Sequence, residues 1–117
     1  MIEGDDLPEF EKLVKSYLPM TETALYILLS LYEPRHGYGI SKYVAELTGD
    51  RIKLGSGTIY GTLTKMQKDG LIDIYDNTDK RTVYERTDTG TQILEREIAR
   101  IESVYTNIRT VAEGGAI

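Results

Sequence analysis

Between residues 54 and 72 the chain reads LGSGTIYGTLTKMQKDGLI, and its apolar positions Ile59, Leu63 and Met66 fall at i, i+4 and i+7. That spacing makes one apolar stripe on a helix that packs along a single face. Ser56 is the candidate N-cap, because a serine hydroxyl accepts a bond from an orphaned N–H two or three residues on. Gly70 is the candidate C′ residue. At about 100° per residue the opposite face carries Gly57, Gly61, Thr64, Lys65 and Lys68. Two glycines inside a helix cost about 1 kcal/mol each against alanine. Here they leave the first turns free to approach another surface closely, with Thr58 and Tyr60 flanking the gap and lysines beyond. DNA suits such a face; the plainer reading is a structural helix whose glycines pack on a neighbour.

The remaining pattern predicts elements that hold this helix in place. Pro8 suits the first turn of a short helix to Tyr17, with Phe10, Leu13, Val14 and Tyr17 on one side. Thr21 caps a mostly apolar helix that runs to about Glu33 and stops at Pro34. Residues 35–39 form a loop and cap, and Ile40, Val44 and Leu47 then mark an amphipathic helix ended by Gly49. LIDIYD and TVYER read as two strands around a turn-rich tip, Asn77 to Arg81, giving a two-stranded hairpin. Such a hairpin is marginal alone, so Ile72, Ile74 and either Val83 or Tyr84 are expected to pack on the helices. Thr87 with Asp88 opens the last helix. There Leu94, Ile98, Ile101, Tyr105, Ile108 and Ala112 follow spacings of 4, 3, 4, 3 and 4, and Val104 and Val111 broaden the seam. A partner helix is expected, most simply from a second copy of the chain. Residues 113–117 are expected to fray, and residues 1–7 to be disordered.

Composition narrows the function. At 117 residues, 40% hydrophobic and 28% charged, the chain has the make-up of one globular domain. The absence of cysteine removes disulfides and thiolate chemistry and fits a cytoplasmic setting. The longest apolar run, Ala24 to Leu29, is too short for a membrane span, and no export signal is expected. The net charge of −5 argues against promiscuous nucleic-acid binding. Yet residues 35–90 hold nine of the fourteen basic residues, while residues 1–34 hold seven acidic groups against two basic ones. A small basic surface on an acidic protein is therefore expected. His36 is the sole histidine, sits in a turn, and reads as a cap or solvated residue. No HExxH, GxSxG, P-loop or dinucleotide fingerprint occurs, so neither an enzyme, a metal site nor a cofactor is expected.

The stretch GSGTIYGTL followed by Gly70-Leu71-Ile72 resembles the recognition segment of the PadR family of winged-helix transcriptional regulators. TETALYILLSLYEPRHGYGI is similar to the family's opening helix and the start of its second, and KRTVYERTDTG to its wing strand and the opening of its last helix. The likeness covers roughly residues 18–112. It implies a mostly α fold with a small β-hairpin. Residues 1–20 would be an N-terminal extension with a short helix, 21–87 a winged helix-turn-helix domain, and 88–117 a C-terminal dimerisation helix. It also implies double-stranded DNA as partner, bound by a homodimer, most simply as a repressor on a palindromic operator. Ser56, Thr58, Tyr60, Gly61, Thr62 and Lys65 are the candidate DNA contacts of the recognition helix. Tyr38 and Lys42 would lie on phosphate, and Lys80 and Arg81 on the wing. Leu94, Ile98, Ile101, Tyr105 and Ile108 would carry the dimer. Proline is frequent in the family where Ser56 and Gly61 stand here, so no operator sequence transfers. Some relatives bind aromatic or drug-like effectors between the long C-terminal helices or near the N-terminal helix; Phe10, Tyr17, Tyr26 and Tyr105 are the candidate lining here, without a tryptophan. The acidic balance leaves a second reading, a winged-helix module that binds protein rather than DNA.

Overall fold

The computed structural model describes residues 8–77 and 81–117. The expected disorder of residues 1–7 and the wing-tip residue Lys80 lie outside the described residues. The elements follow in the order α1 (Glu9–Tyr17), α2 (Glu22–Ser30), β1 (Arg35–His36), α3 (Gly37–Leu47), α4 (Ser56–Lys68), β2 (Ile72–Asp76), β3 (Val83–Arg86) and α5 (Asp88–Glu113). The fold is mostly helical, with a small antiparallel sheet at one side.

Local chemistry sets most of the boundaries. Thr21 Oγ1 accepts from Ala24 N at 3.1 Å and Thr87 Oγ1 from Gly90 N at 3.0 Å, so both expected caps form. The start of α4 differs from expectation. Gly55 is the N-cap, extended at φ −74° and ψ 157°, and its carbonyl takes the first intrahelical bond from Ile59 N at 3.0 Å. Ser56 is thus already helical and its hydroxyl does no capping. Gly70 sits at φ +81°, beyond the Asp69 C-cap. Leu71 N donates to Met66 O at 2.9 Å and Gly70 N to Gln67 O at 3.1 Å, the paired bonds of a Schellman turn. The same kind of turn closes α5, where Ala116 N donates to Val111 O at 3.2 Å, so the expected fraying at residues 113–117 gives way to a hydrogen-bonded stop.

The sheet has three strands, in the order β1-β3-β2, instead of the expected two-stranded hairpin. Arg35 pairs with Tyr84 and His36 with Val83. The sequence pattern missed β1 because two residues are too few to show an alternation. α2 also ends earlier than expected, at Ser30, which frees the chain to turn back into β1. In place of basic residues in its own last turn, α2 receives two guanidiniums from the sheet. Arg35 Nε donates to Ser30 O at 2.7 Å, and Arg86 Nη1 to Leu28 O at 2.7 Å. Cations there complement the negative end of the helix dipole and satisfy its orphan carbonyls. Ile72 and Tyr84 pack inward as expected, whereas Ile74 remains 40% exposed.

One core joins the elements: Ile27 and Leu28 from α2, Ile40 and Val44 from α3, Ile59, Leu63 and Met66 from α4, and Ile93 and Leu94 from α5. Leu94, the first residue of the expected dimer seam, therefore belongs to the core of its own chain, and the free part of the seam begins at Ile98. α1 closes the structure from outside. Tyr17 enters the core edge and its hydroxyl donates to Asp69 Oδ2 at 2.7 Å, while Glu11 pairs with Arg96 at 3.2 Å.

Two contacts give direct tests. A Cβ on Gly90 would stand 2.0 Å from the Leu71 carbonyl oxygen, a backbone atom that has little room to retreat. Gly90→Ala should destabilise by about 2 kcal/mol or more, read as a lowered urea midpoint. Gly57→Ala, with no atom within 4 Å of its added Cβ, should leave the midpoint unchanged or raise it.

Glu97 is 1% exposed and accepts from Met20 N at 2.8 Å and from both arms of Arg100. The Arg100 guanidinium holds this carboxyl below the usual glutamate range, aided by the Met20 N–H and against the effect of burial. A depressed pKa means that the stabilisation is complete above the ordinary glutamate value, about 4.3, and is lost as pH falls through the lower folded value. Glu97→Gln should cost about 1–3 kcal/mol near neutrality. Urea titrations at successively lower pH should show a shallower acid decline for the variant than for the parent; parallel declines would contradict the assignment.

Candidate nucleic-acid interface

α4 turns Ile59, Leu63 and Met66 into the core at 2% exposure or less, which leaves its other side bare. No atom lies within 4 Å of a Cβ built on Gly57 or Gly61, so both glycines face open space and neither packs on a neighbouring element. Ser56, Thr58, Gly61, Thr64 and Lys68 are exposed along this face, and Thr62 is half-buried on its flank. The structure thus removes the reading in which the glycines serve helix packing.

On the other flank Tyr60 lies across the start of α3. A Cβ on Gly37 would fall 2.6 Å from the Tyr60 hydroxyl oxygen, so the absence of a side chain at Gly37 is what admits the ring. Tyr38, 74% exposed, stands beside it. Two adjoining clefts share these tyrosines. One, of about 240 Å³, is lined by Gly37, Tyr38, Ser41, Leu54, Ser56, Ile59 and Tyr60. The other, of about 230 Å³, is lined by His36, Tyr38, Tyr60, Arg81 and Thr82. The two clefts meet at Tyr38 and Tyr60, one reaching the first turn of α4 and the other the base of the wing. Lys42 is exposed on α3.

Lys65 is placed differently from its fellow candidates. Its ammonium donates to Asp69 Oδ2 at 2.7 Å and sits 4.5 Å from the centre of the Tyr17 ring, so it fastens α4 to α1. The Lys65 ammonium and then the Tyr17 hydroxyl hold the Asp69 carboxyl below its usual range. Burial, with the hydrogen bond to Asp69, pushes the Tyr17 phenol well above its own. Much of the Lys65 charge is therefore balanced within the chain. Lys68, on the same face, forms no ion pair among the described residues.

The candidate effector residues share neither of the two clefts that Phe10 and Tyr17 border. Phe10 borders a cleft of about 510 Å³ beside Glu9, Leu13 and Lys68, and Tyr17 a separate one of about 270 Å³ beside Thr62 and Lys65. Tyr26 and Tyr105 border neither. Beyond Leu94, Ile98, Ile101, Val104, Tyr105, Ile108 and Val111 are all 37% or more exposed on α5. No group of three or more His, Cys, Asp or Glu that could hold a metal occurs among the described residues. No described helix is long and apolar enough to cross a membrane.

His36 is the residue that the sequence reads only as a cap or a solvated side chain. It does cap α3, with Nδ1 accepting from Gly39 N at 3.0 Å, but its other ring nitrogen lies 3.1 Å from Arg81 Nη1. The partner is 45 positions away, so only the folded chain shows the pair.

The model of the Transcriptional regulator PadR-like family matches residues 24–96. No curated protein matches the chain in sequence. Several solved structures share its fold. A PadR family transcription regulator from Clostridium difficile R20291 is 23% identical, with a TM-score of 0.67 over 79% of this chain and 99% of that one. A PadR family transcriptional regulator from Eggerthella lenta is also 23% identical, with a TM-score of 0.64 over 88% of each. A candidate transcriptional regulator from Thermoplasma acidophilum is 28% identical, with a TM-score of 0.63 over 89% of this chain and 95% of that one.

Proposed function

The chain belongs to the PadR-like family of transcriptional regulators, and on that premise we propose that it binds a palindromic operator as a homodimer and represses by occupying it. One observation carries the reading: the bare, glycine-bearing face of α4 adjoins two neighbouring clefts that share Tyr38 and Tyr60 and reach Arg81. Helix N-termini and basic groups position a protein on phosphate, and short side chains in the major groove leave base edges within reach. Ser56, Thr58 and Gly61 would approach most closely, with Tyr60 and Thr62 on the flanks. Tyr38, Lys42 and Arg81 would hold the backbone, together with Lys80. Lys65 contributes less than its position in sequence implies, because Asp69 already holds its charge.

In this reading residues 21–87 form the DNA-binding unit, and α1, from the N-terminal extension, braces it against α5. The dimer rests on the α5 face from Ile98 to Val111, with Tyr105 and Ile108 at its centre. So long an exposed apolar face is more than a single soluble helix ordinarily leaves open. Release by a small aromatic effector would need a pocket completed by the second chain, since Phe10 and Tyr17 border separate clefts and neither cleft reaches Tyr26 or Tyr105.

Replacing Gly61 by Glu sets a carboxylate on the face that must come closest to phosphate. Specific binding to DNA selected from the host genome should be lost, while circular dichroism shows helix content unchanged, since glutamate is the better helix former. If Gly61→Glu binds as the parent does, α4 is not the reading element and a protein partner becomes the better account.

Ile101→Asp should separate the chains, because an unpaired charge buried at a packed interface costs about 3–5 kcal/mol. Sedimentation at micromolar concentration should find a dimer for the parent and a monomer for the variant. A monomeric parent would refute the association.

A further inference from the structure

The contact between His36 and Arg81 has a polarity that neither residue satisfies alone. Nδ1 of His36 accepts the Gly39 N–H at 3.0 Å, so the neutral ring carries its proton on Nε2. Arg81 offers only donors. At 3.1 Å, Nη1 and Nε2 therefore present two N–H groups to one another, with no acceptor between them among the described residues. Arg81 has no carboxylate partner among the described residues, and none of the five side chains lining this cleft is acidic. Tyr38 lies alongside with its ring nearly parallel to the imidazole, 6.3 Å between centres and 21° between planes, while the bond from Gly39 N orients the imidazole.

We propose that His36 Nε2–H and the Arg81 guanidinium close on one non-bridging oxygen of a DNA phosphate, so that the residue capping α3 is also a backbone ligand. The geometry permits it: an oxygen about 2.9 Å from each nitrogen completes a nearly equilateral triangle with the 3.1 Å separation. The cap does double duty. By occupying Nδ1 it forces the donor outward on Nε2, and it anchors that donor on a helix start while Arg81 arrives from the wing. The phosphate would thereby tie α3 to the strand that precedes α5. The proposal rests on the DNA-binding reading above and adds to it a specific pair of donors.

The test separates cap from donor. His36→Ser keeps an oxygen able to accept from Gly39 N but leaves nothing to reach Arg81. The full chain is titrated with a mixed-sequence DNA duplex at several salt concentrations, with circular dichroism as the folding control. His36→Ser should bind about tenfold more weakly with the salt slope unchanged, since a neutral donor releases no counterion. Arg81→Ala should weaken binding and lower the slope by about one. The double variant should be little worse than Arg81→Ala, because both donors serve one oxygen. Since His36 is the only histidine, its Nε2 nitrogen resonance needs no assignment and should move on adding duplex. It should move only at far higher concentrations of inorganic phosphate. Equal affinity for inorganic phosphate would make the site a receptor for the free anion and overturn the assignment to DNA. A His36→Ser variant that binds as the parent does, or an unmoved resonance at saturating duplex, would overturn the clamp while leaving the recognition helix standing. A parent that binds no duplex at all would instead refute the broader reading.

Discussion

The Leu71 carbonyl is the point on which the arrangement turns. It accepts the Thr87 N–H at 3.0 Å, and Gly90 passes so close that any side chain there would strike it. Thr87 Oγ1 donates to the neighbouring Gly70 carbonyl at 2.7 Å while accepting from Gly90 N. The Schellman turn that ends α4 and the cap that begins α5 are thus one hydrogen-bonded knot. Because β2 leaves this knot and β3 returns to it, α4, the β2–β3 hairpin and α5 are tied to one another at a single point.

A second set of polar contacts keeps the small core dry without leaving donors or acceptors stranded. Among the described residues every buried side-chain nitrogen and oxygen has a partner. Arg35 and Arg86 satisfy the end of α2, and Arg35 also lies over the Tyr43 ring at 4.3 Å. Both arginines are spent on structure, which matters for a chain whose basic residues are few. Of the cations in residues 35–90, Arg35, Arg51, Lys65 and Arg86 all have partners within the chain. The charge left over is smaller than the sequence count implies, and among the described residues it is that of Lys42 on α3, Lys53 just before α4, Lys68 on α4 and Arg81 just before β3.

Long periodic segments were legible from sequence. The Ile59, Leu63, Met66 stripe, the Thr21 and Thr87 caps and the Gly70 stop all stand where the pattern puts them, because each depends on residues within one or two turns. What escaped was fixed by tertiary pairing. β1 exists only because β3 offers it an edge, and the opposition of His36 to Arg81 requires that pairing first. Leu94 fits a heptad as well as Ile98 does; only the packing of α5 against α1, α2 and β3 decides that the first is covered by its own chain. Lys65 looked like its neighbour Lys68 until Asp69 and Tyr17 claimed it. Lys80, outside the described residues, stands as an expectation from sequence.

α5 has two allegiances along one rod. Its first turns are clamped at Gly90, Ile93, Leu94 and Glu97, and the rest projects as an amphipathic shaft. Over its 26 residues it spans roughly 39 Å. Mechanically it is a lever with its fulcrum at the Leu71 knot. In a dimer joined along the shaft, a slight roll of one shaft against the other would swing the two α4 helices through a much larger arc, changing their separation without disturbing either core. The spacing of two half-sites on DNA would then be set by the pitch of a helix pair some distance from any base.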